Sequence, residues 1–423
     1  MNNKIQQTLT EHLFRHEYGA LVASLARKFG IQHLETIEDA VQTAMFKALT
    51  HWPGNQPPDT PAAWLYKVAL REILSELRAD QRHHHLLHQE QTARDEPTSE
   101  HLDVSFSSEL ADSLLRMLFL ACDKNIPVAS QLVFTLKSLC GFSVPEIATR
   151  LFITEANVYK RLTRAKKYLK SQPRLLNELS DSQVNERIAT VHNVLYLMFT
   201  EGYLSSHPDT AIRKDLCEEA TRLTLVLSQN KLGNVPATLA LLALMHFNLA
   251  RLDSRRDDSG LVLLADQDRC KWNQSQIVQG LVYLEQSASG DAISRFHIEA
   301  GIAAEHCLAK NYDSTNWEKI AAAYKLLETF APSPMHLLNR ALATAQYKNP
   351  ADGLQIIKQA NIPTWLSCSY HWYAVIADLQ YRANELDSAE KNAEQAIALA
   401  PTDEIKKLLK QRMNTHRVVN LIE

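Results

Sequence analysis

The stretch GFSVPEIATRLFITEANVYKRLTRAKKYLK, residues 141–170, carries the start and stop signals of two short helices. Ser143 can cap the first helix, with Pro145 in its first turn and Glu146 at the third position, which is the capping-box pattern. The triplet Phe-Ile-Thr then ends this pattern, and Thr154 is a good cap for a second helix. An apolar stripe follows at three- to four-residue spacing, at Val158, Leu162, Ala165 and Leu169. The segment therefore predicts a helix-turn-helix.

Positive charge is concentrated in the second of these helices, although the formal net charge of the chain is only -3. In a helix-turn-helix, the second helix enters the major groove and its leading polar residues face the base edges. We predict base contacts from Asn157 and Arg161, and phosphate contacts from Lys160, Arg164, Lys167 and Lys170. A basic helix face that is simply solvated remains the alternative.

Length and composition limit the remaining possibilities. A chain of 423 residues is long enough for about two or three domains, and 11 glycines with abundant Ala and Leu favour an all-α fold. The six cysteines are scattered, which favours neither a zinc ribbon nor a disulfide framework and fits a reducing cytoplasm. The sequence shows no signal-peptide pattern and no apolar run of membrane-spanning length. We expect a soluble cytoplasmic protein without a metal, a cofactor or a membrane partner.

Composition divides the chain into three helical parts, over residues 1–80, 107–175 and 183–423, with a polar linker at 81–106. The linker contains four histidines, His83, His84, His85 and His88. A metal site is disfavoured there because adjacent histidines on a helix point in different directions and no second ligand cluster accompanies them. A solvated connector is the preferred interpretation.

The first part contains two amphipathic helices separated by a Pro/Gly/Asn loop. Apolar spacing places Ile37, Val41, Ala44, Met45 and Leu49 on the inner side of the first helix and exposes Glu38, Asp39, Gln42 and Lys47. The second helix carries Trp64, Val68, Ile73 and Leu77 inside, with Arg71 and Arg78 exposed. Taken alone, these helices predict an ordinary bundle in which tryptophans are more often core than contact residues.

The order of these segments resembles a known family. IEDAVQTAMFKALTHWP (37–53) and TPAAWLYKVALREILSELR (60–78) are similar to region 2 of the extracytoplasmic-function (ECF) sigma factors, and residues 142–169 resemble their region 4. The resemblance implies promoter DNA and core RNA polymerase, through its β′ clamp and β flap, as partners. It implies polymerase contacts at Glu38, Asp39, Gln42 and Phe46, and contacts with the promoter −10 element at Trp64, Lys67, Arg71 and Arg78. The −35 element would be read by the basic helix.

The third part resembles the C-terminal tetratricopeptide-like extension of the long sigma factors called the ECF42 group, through segments such as VLYLMFTEGYLSS and PSPMHLLNRALA. Independently, two segments superimpose with Asn349 opposite Asn384, an offset of 35 residues that is close to the ~34-residue tetratricopeptide period. We expect stacked helix pairs that regulate the sigma regions or recruit a regulatory protein. A candidate site comprises Glu201, Asp215, Arg222, Asp266, Asp268, Arg269 and Trp272, although structural ion pairs are an alternative interpretation of these residues.

Catalysis is not expected. His297 and Glu299 are titratable but lie on different helix faces, and neither a nucleophile nor a phosphate-binding loop accompanies them. The sequence therefore predicts a sigma factor that directs core polymerase to promoters. A helix-turn-helix regulator with a ligand- or protein-sensing repeat domain is the main alternative, and a helical enzyme or scaffold is the third.

Overall fold

The computed structural model describes residues 17–52, 58–85, 104–151, 153–172, 180–203, 214–257, 260–290, 292–360, 366, 368–401 and 403–422. Apart from one ribbon of two short strands, the regular structure in these ranges is helical, so the prediction of an all-α fold is confirmed. The chain forms two compact units, residues 1–197 and 198–423. None of the described helices is both long and apolar enough to cross a bilayer.

The first unit contains the predicted helices of the first two parts. Its helices are α1 (residues 17–29), α2 (Leu34–His51), α3 (Pro61–His85), α4 (Val104–Ala121), α5 (Val128–Phe134), α6 (Val144–Leu151), α7 (Glu155–Lys170) and the beginning of α8 (Asp181–Tyr203). A π-helical turn, Thr135–Leu139, continues α5. The side chains of His83, His84, His85 and His88 lie outside the described residues.

The unit boundary lies inside α8, whereas composition placed the third part from residue 183. An ion pair that composition does not reveal joins this part of α8 to the first unit. Arg187 of α8 donates a hydrogen bond to the carboxylate of Asp123, and a second one, of 3.2 Å, to the carbonyl oxygen of Phe119. This contact fastens the first half of α8 to the end of α4.

The second unit contains the rest of α8 and ten further helices among the described residues. They are α9 (Lys214–Gln229), α10 (Pro236–Arg251), α11 (Gln274–Ser287), α12 (Arg295–Leu308), α13 (Trp317–Phe330), α14 (Pro334–Tyr347), α15 (Pro350–Lys358), α16 (Tyr370–Arg382), α17 (Leu386–Leu399) and α18 (Asp403–Ile422). The ribbon pairs β1 (Arg256–Asp257) with β2 (Gly260–Leu261) in antiparallel register.

Two successive helix pairs at the end of this unit occupy the positions that the 35-residue offset predicted. The pairs are α14 with α15 and α16 with α17, and residues of α16 contribute to the apolar clusters of both pairs. The aligned asparagines have different roles: Asn349 accepts a 2.9 Å hydrogen bond from the amide of Asp352 as the cap of α15, whereas Asn384 adopts a φ of 61° in the turn before α17. Helix pairing is therefore observed, while the tetratricopeptide-like class remains a prediction.

Candidate nucleic-acid interface

The turn between α6 and α7 is held by the predicted caps. The amide of Ser143 donates to the Glu146 carboxylate at 2.8 Å, and the amide of Glu146 donates to the Ser143 hydroxyl at 3.3 Å. The Thr154 hydroxyl accepts a hydrogen bond from the amide of Asn157 at 3.3 Å. Local hydrogen bonds therefore fix where α7 begins, and with it the direction of its side chains.

The apolar stripe of α7 is buried as predicted, at Val158, Leu162, Ala165 and Leu169. The opposite face presents the polar and basic side chains. Asn157, Lys160, Arg164 and Lys167 are exposed, and Arg161 is half-buried. At ~3.6 residues per turn these five positions share one face, so α7 presents a continuous basic surface of the kind that binds a phosphate backbone.

A third, flanking face of α7 contacts α2. The amine of Lys166 lies 3.0 Å from the Glu38 carboxylate and 3.8 Å from that of Glu35. The amine of Lys170 lies 3.7 Å from Glu35. Lys170 was predicted to contact phosphates together with Lys160, Arg164 and Lys167, and its spacing from Lys166 places it on this flank. The same face borders a groove of about 520 Å³ that is also lined by Tyr159 and Thr163.

The prediction that Glu38 is exposed is wrong. Glu38 is only 4% exposed. Its carboxylate accepts a 2.6 Å hydrogen bond from the hydroxyl of Ser138 and forms an ion pair with Lys166. Burial strongly raises the pKa of the nearby Tyr18 phenol, and the negative charge of Glu38 raises it further. Glu38 is therefore an internal acceptor in this arrangement, with partners far away in the sequence.

The other three residues assigned to polymerase contact by the resemblance are exposed on α2. They are Asp39, Gln42 and Phe46, and Phe46 is 67% exposed. Leu49 was predicted to lie on the apolar side, yet it is 42% exposed because it falls in the last turn of α2. Phe46 and Leu49, three residues apart, therefore expose two apolar side chains next to each other on α2.

The residues assigned to the −10 element lie along one side of α3. Lys67, Arg71 and Arg78 are exposed, and Trp64 is half-buried. The Trp64 ring packs edge-on against Trp52 with their centroids 5.5 Å apart. Trp52 and Trp64 are both half-buried, so the sequence expectation that they are core residues is met only in part.

Sequence reasoning missed a close contact between α1 and the π-helical turn. A Cβ atom placed on Gly19 would lie 1.8 Å from the carbonyl oxygen of Leu139, so only a residue without a side chain fits there. Gly141, with φ 71°, lies against the ring of Tyr18. Together with the contacts of Ser138, Lys166 and Lys170 to α2, these contacts form what we call the internal interface. On the α2 side of the internal interface, the signal available in the sequence was the spacing of Glu35, Asp39 and Gln42, which places them on one helix face.

The candidate residues of the second unit divide into separate contacts. Arg269 donates to the carbonyl oxygens of His306 at 2.5 Å and Ala309 at 2.8 Å, and its guanidinium lies 4.8 Å from the ring centroid of Trp272. Trp272 is only 3% exposed. Burial, followed by the charges of Arg251 and Arg269, lowers the pKa of His306 to about 3. Arg269 therefore closes a helix end and packs on a buried ring.

The remaining candidates have other surroundings. Arg222 makes a two-pronged ion pair with the buried Glu219, at 2.6 and 2.9 Å. Asp268 caps its own turn by accepting a hydrogen bond from the amide of Cys270 at 3.0 Å. Asp266 lines a cavity of about 400 Å³ together with Arg382 and Arg412. Glu201 and Asp215 are half-buried in α8 and α9. Arg222 thus forms a structural ion pair of the kind weighed from the sequence, whereas Arg269 binds main-chain carbonyl oxygens and an aromatic ring.

Comparison with known protein families identifies the parts of the chain. Residues 14–83 match the family Sigma-70 region 2, and residues 120–169 match the family Sigma-70, region 4. Residues 187–288 match a family of unknown function, DUF6596. The two sigma-70 domains support a sigma-factor role in promoter recognition, with core RNA polymerase and promoter DNA as the implied partners.

A relative covers nearly the whole chain. The uncharacterized protein R00370 of Rhizobium meliloti (strain 1021) is 31% identical over 381 residues, which is 90% of this chain and 89% of that protein. The chain belongs to the same protein family. No solved structure matches it.

Proposed function

We propose that the protein is an ECF-type sigma factor whose second unit is a tetratricopeptide-like regulator. The observation that carries the proposal is the face of α7 formed by Asn157, Lys160, Arg161, Arg164 and Lys167, which is basic, accessible and fixed by the Thr154 cap. It lies in a sigma-70 region 4 domain that follows a region 2 domain in the same chain.

In this proposal, α7 enters the major groove at the −35 element. Lys160, Arg164 and Lys167 contact phosphates, which gives salt-dependent affinity without sequence information. Asn157 and Arg161 read base edges because amide and guanidinium groups match the hydrogen-bonding pattern of adenine and guanine. Lys170 can join the phosphate contacts only when it leaves Glu35.

Region 2 provides the second half of promoter recognition and a binding surface for polymerase. Asp39, Gln42 and Phe46 of α2 contact the β′ clamp, while Lys67, Arg71 and Arg78 of α3, with Trp64, face the −10 element. Region 4 would also meet the β flap. Glu38 can join the polymerase contact only after its pairing with Lys166 is broken. No chemical step is required, because binding alone directs the polymerase.

Run-off transcription with purified core polymerase tests this function. The full chain should initiate RNA at specific promoters, and Arg164→Ala combined with Lys167→Ala should reduce initiation, because two phosphate contacts are removed. Lys358→Ala is a matched control, since Lys358 is an exposed lysine of α15. Failure of the full chain to associate with core polymerase, combined with tight binding to duplex DNA alone, would instead identify a helix-turn-helix regulator.

The regulatory role of the second unit has its own test. A chain ending at Tyr203 keeps the Arg187–Asp123 contact, which a cut near residue 183 would remove. Promoter-specific transcription by this shortened chain should differ from that of the full chain. Equal activity of the two chains under all conditions would refute the regulatory role.

A further inference from the structure

We infer that the cavity of about 400 Å³ in the second unit binds a small zwitterion, an amino acid or a short peptide with free ends. Its walls come from the ribbon with the 3-10 turn after it, Leu264–Asp266, and from the helical part of the unit that includes α16 and α18. β2 and α18 contact each other although they are far apart in the sequence. Small-molecule sites are typically concave pockets of about 300–1,000 Å³ that combine apolar walls with a few polar groups. Such a site is a property of the second unit alone and does not depend on the sigma-factor role.

The helical side of the cavity offers donors for a carboxylate. Arg412 directs its Nε and one Nη atom to a single oxygen of Asp378, at 2.9 and 2.8 Å. Arg382 donates to the carbonyl oxygen of Ala345 at 3.0 Å. A guanidinium group has more N–H donors than these contacts use. The Arg382 and Arg412 side chains remain 20% and 33% exposed, whereas that of Asp378 is only 5% exposed, so the guanidinium groups rather than the acid face the open space.

A phenol adds a neutral donor on the same side. The side-chain amide of Gln346 donates to the Tyr312 hydroxyl at 3.0 Å, so the O–H of Tyr312 remains available to donate. Burial raises the pKa of Tyr312 and keeps the phenol protonated, although the nearby charges of Arg412 and Arg382 act in the opposite direction. Tyr312, Arg382 and Arg412 therefore form one group of donors, and paired guanidinium forks match the planar geometry of a carboxylate.

The ribbon side of the cavity offers acceptors for an ammonium group and an apolar wall. Asp257 of β1 and Asp266 of the turn line the cavity, and both are exposed. Residues 261–263, Leu-Val-Leu, are also part of the lining, together with Leu408 of α18. This combination suits a ligand whose two charged ends are joined by an apolar part.

The charge balance among the described residues at the cavity disfavours ligands with several negative charges. Two arginines meet three aspartates, the two of the lining and the buried Asp378, so the net charge is -1. A nucleotide or a phosphate monoester would bring about two negative charges or more into these surroundings. A ligand with one carboxylate and one ammonium group is neutral overall and pairs with both sides.

Isothermal titration calorimetry of the full chain tests this site. The zwitterionic probes are L-leucine and L-leucyl-L-leucine, which differ in the distance between their charged ends, and inorganic phosphate is the anion control. At least one zwitterion should bind, and the tighter of the two is then compared with its N-acetylated and C-amidated forms. Each of these forms lacks one charge and should bind about tenfold more weakly or less.

Two variants locate the two ends of the ligand. Asp266→Asn removes a charge on the ribbon side and should weaken the zwitterion about tenfold while leaving the N-acetylated form unaffected. Arg412→Lys keeps a cation beside Asp378 but loses the planar fork, so it should weaken the zwitterion about tenfold and leave the C-amidated form unaffected. Asp313→Asn is the matched control, because Asp313 is an exposed aspartate outside the cavity lining. Hydrogen exchange of α18 establishes that each variant is folded.

Binding that needs both free ends and is weakened selectively in the two variants supports the site. Absence of binding by both zwitterions at about 10 mM, in a chain whose α18 is protected from exchange, would overturn it. It would also be overturned by capped forms that bind as tightly as the zwitterion, by phosphate that binds more tightly, or by equal weakening of all probes in both variants. A chain that binds the zwitterion in this way but does not associate with polymerase would retain the site and lose the sigma-factor role.

Discussion

Replacing Arg187 with methionine removes the charge that fastens α8 to the end of α4. The Arg187 and Asp123 side chains are only 11% and 7% exposed. Asp123 would remain buried, with two hydrogen bonds from Asn125, from its amide at 2.9 Å and its side chain at 2.8 Å. Methionine keeps much of the volume of the arginine stem, so the change isolates the ion pair.

The size of the effect follows from these contacts. Breaking one side of a buried ion pair costs about 3–5 kcal/mol, and the remaining hydrogen bonds from Asn125 place this case at the low end, near ~3 kcal/mol. A loss of ~3 kcal/mol corresponds to about a 100-fold change in a local opening equilibrium. Arg187→Met combined with Asp123→Asn should lose less than the single variant, because no unpaired charge is then buried.

Hydrogen exchange of the full chain, resolved by peptide, measures this opening. Protection at the end of α4 and in the first half of α8 should fall about 100-fold, while α14 in the second unit should stay unchanged. Burial alone would raise the pKa of Asp123, but the hydrogen bonds from Asn125 and Tyr168 and the charge of Arg187 hold that pKa below its usual value. The stability that the charged form of Asp123 contributes is therefore present above about pH 4, and it is lost as the pH falls through the lowered pKa of Asp123. Equal protection in parent and variant at neutral pH would refute the reasoning.

Three further measurements test the caps, the DNA contacts and the buried histidine. Thr154→Ala should cost about 1 kcal/mol and reduce hydrogen-exchange protection in the first turn of α7, whereas Thr154→Ser should retain the cap. Arg161→Ala should cost about 1–3 kcal/mol of DNA-binding free energy and relax the sequence preference at one promoter position. Lys160→Ala should instead weaken binding to all sequences alike and lower the slope of log affinity against log salt concentration by about one. Identical effects of the two variants would contradict the assignment. Because the folded pKa of His306 is about 3, stability should fall as the pH drops from ~6.5 toward 3, and His306→Phe should flatten that part of the pH–stability curve.

Sequence reasoning succeeded where the determinants are local. The caps at Ser143 and Thr154 and the stripe of α7 need only neighbours within about four residues, so the helix-turn-helix could be predicted with its boundaries. Glu38 was misplaced because its partner, Lys166, lies 128 positions further along the chain. The apolar spacing within α2 carries no information about a partner so far along the chain.

The Gly19 contact escaped prediction for a similar reason. A glycine inside a helix pattern only lowers helix propensity locally, and its value here depends on the backbone of a distant turn. The separate partners of Arg222 and Arg269 also required the fold, since their spacing alone did not distinguish a shared pocket from two structural contacts.

The last described helix, α18, supplies one of two arginines that lie near a buried aspartate. Asp378 is buried in α16, and Arg412 of α18 holds its carboxylate at 2.8 Å, whereas Arg382 lies 3.7 Å away. A premature stop codon before α18 would remove the arginine that lies nearer to that buried acid. Nonsense alleles that delete barely a twentieth of the coding sequence should therefore yield little accumulated protein rather than a functional shortened product.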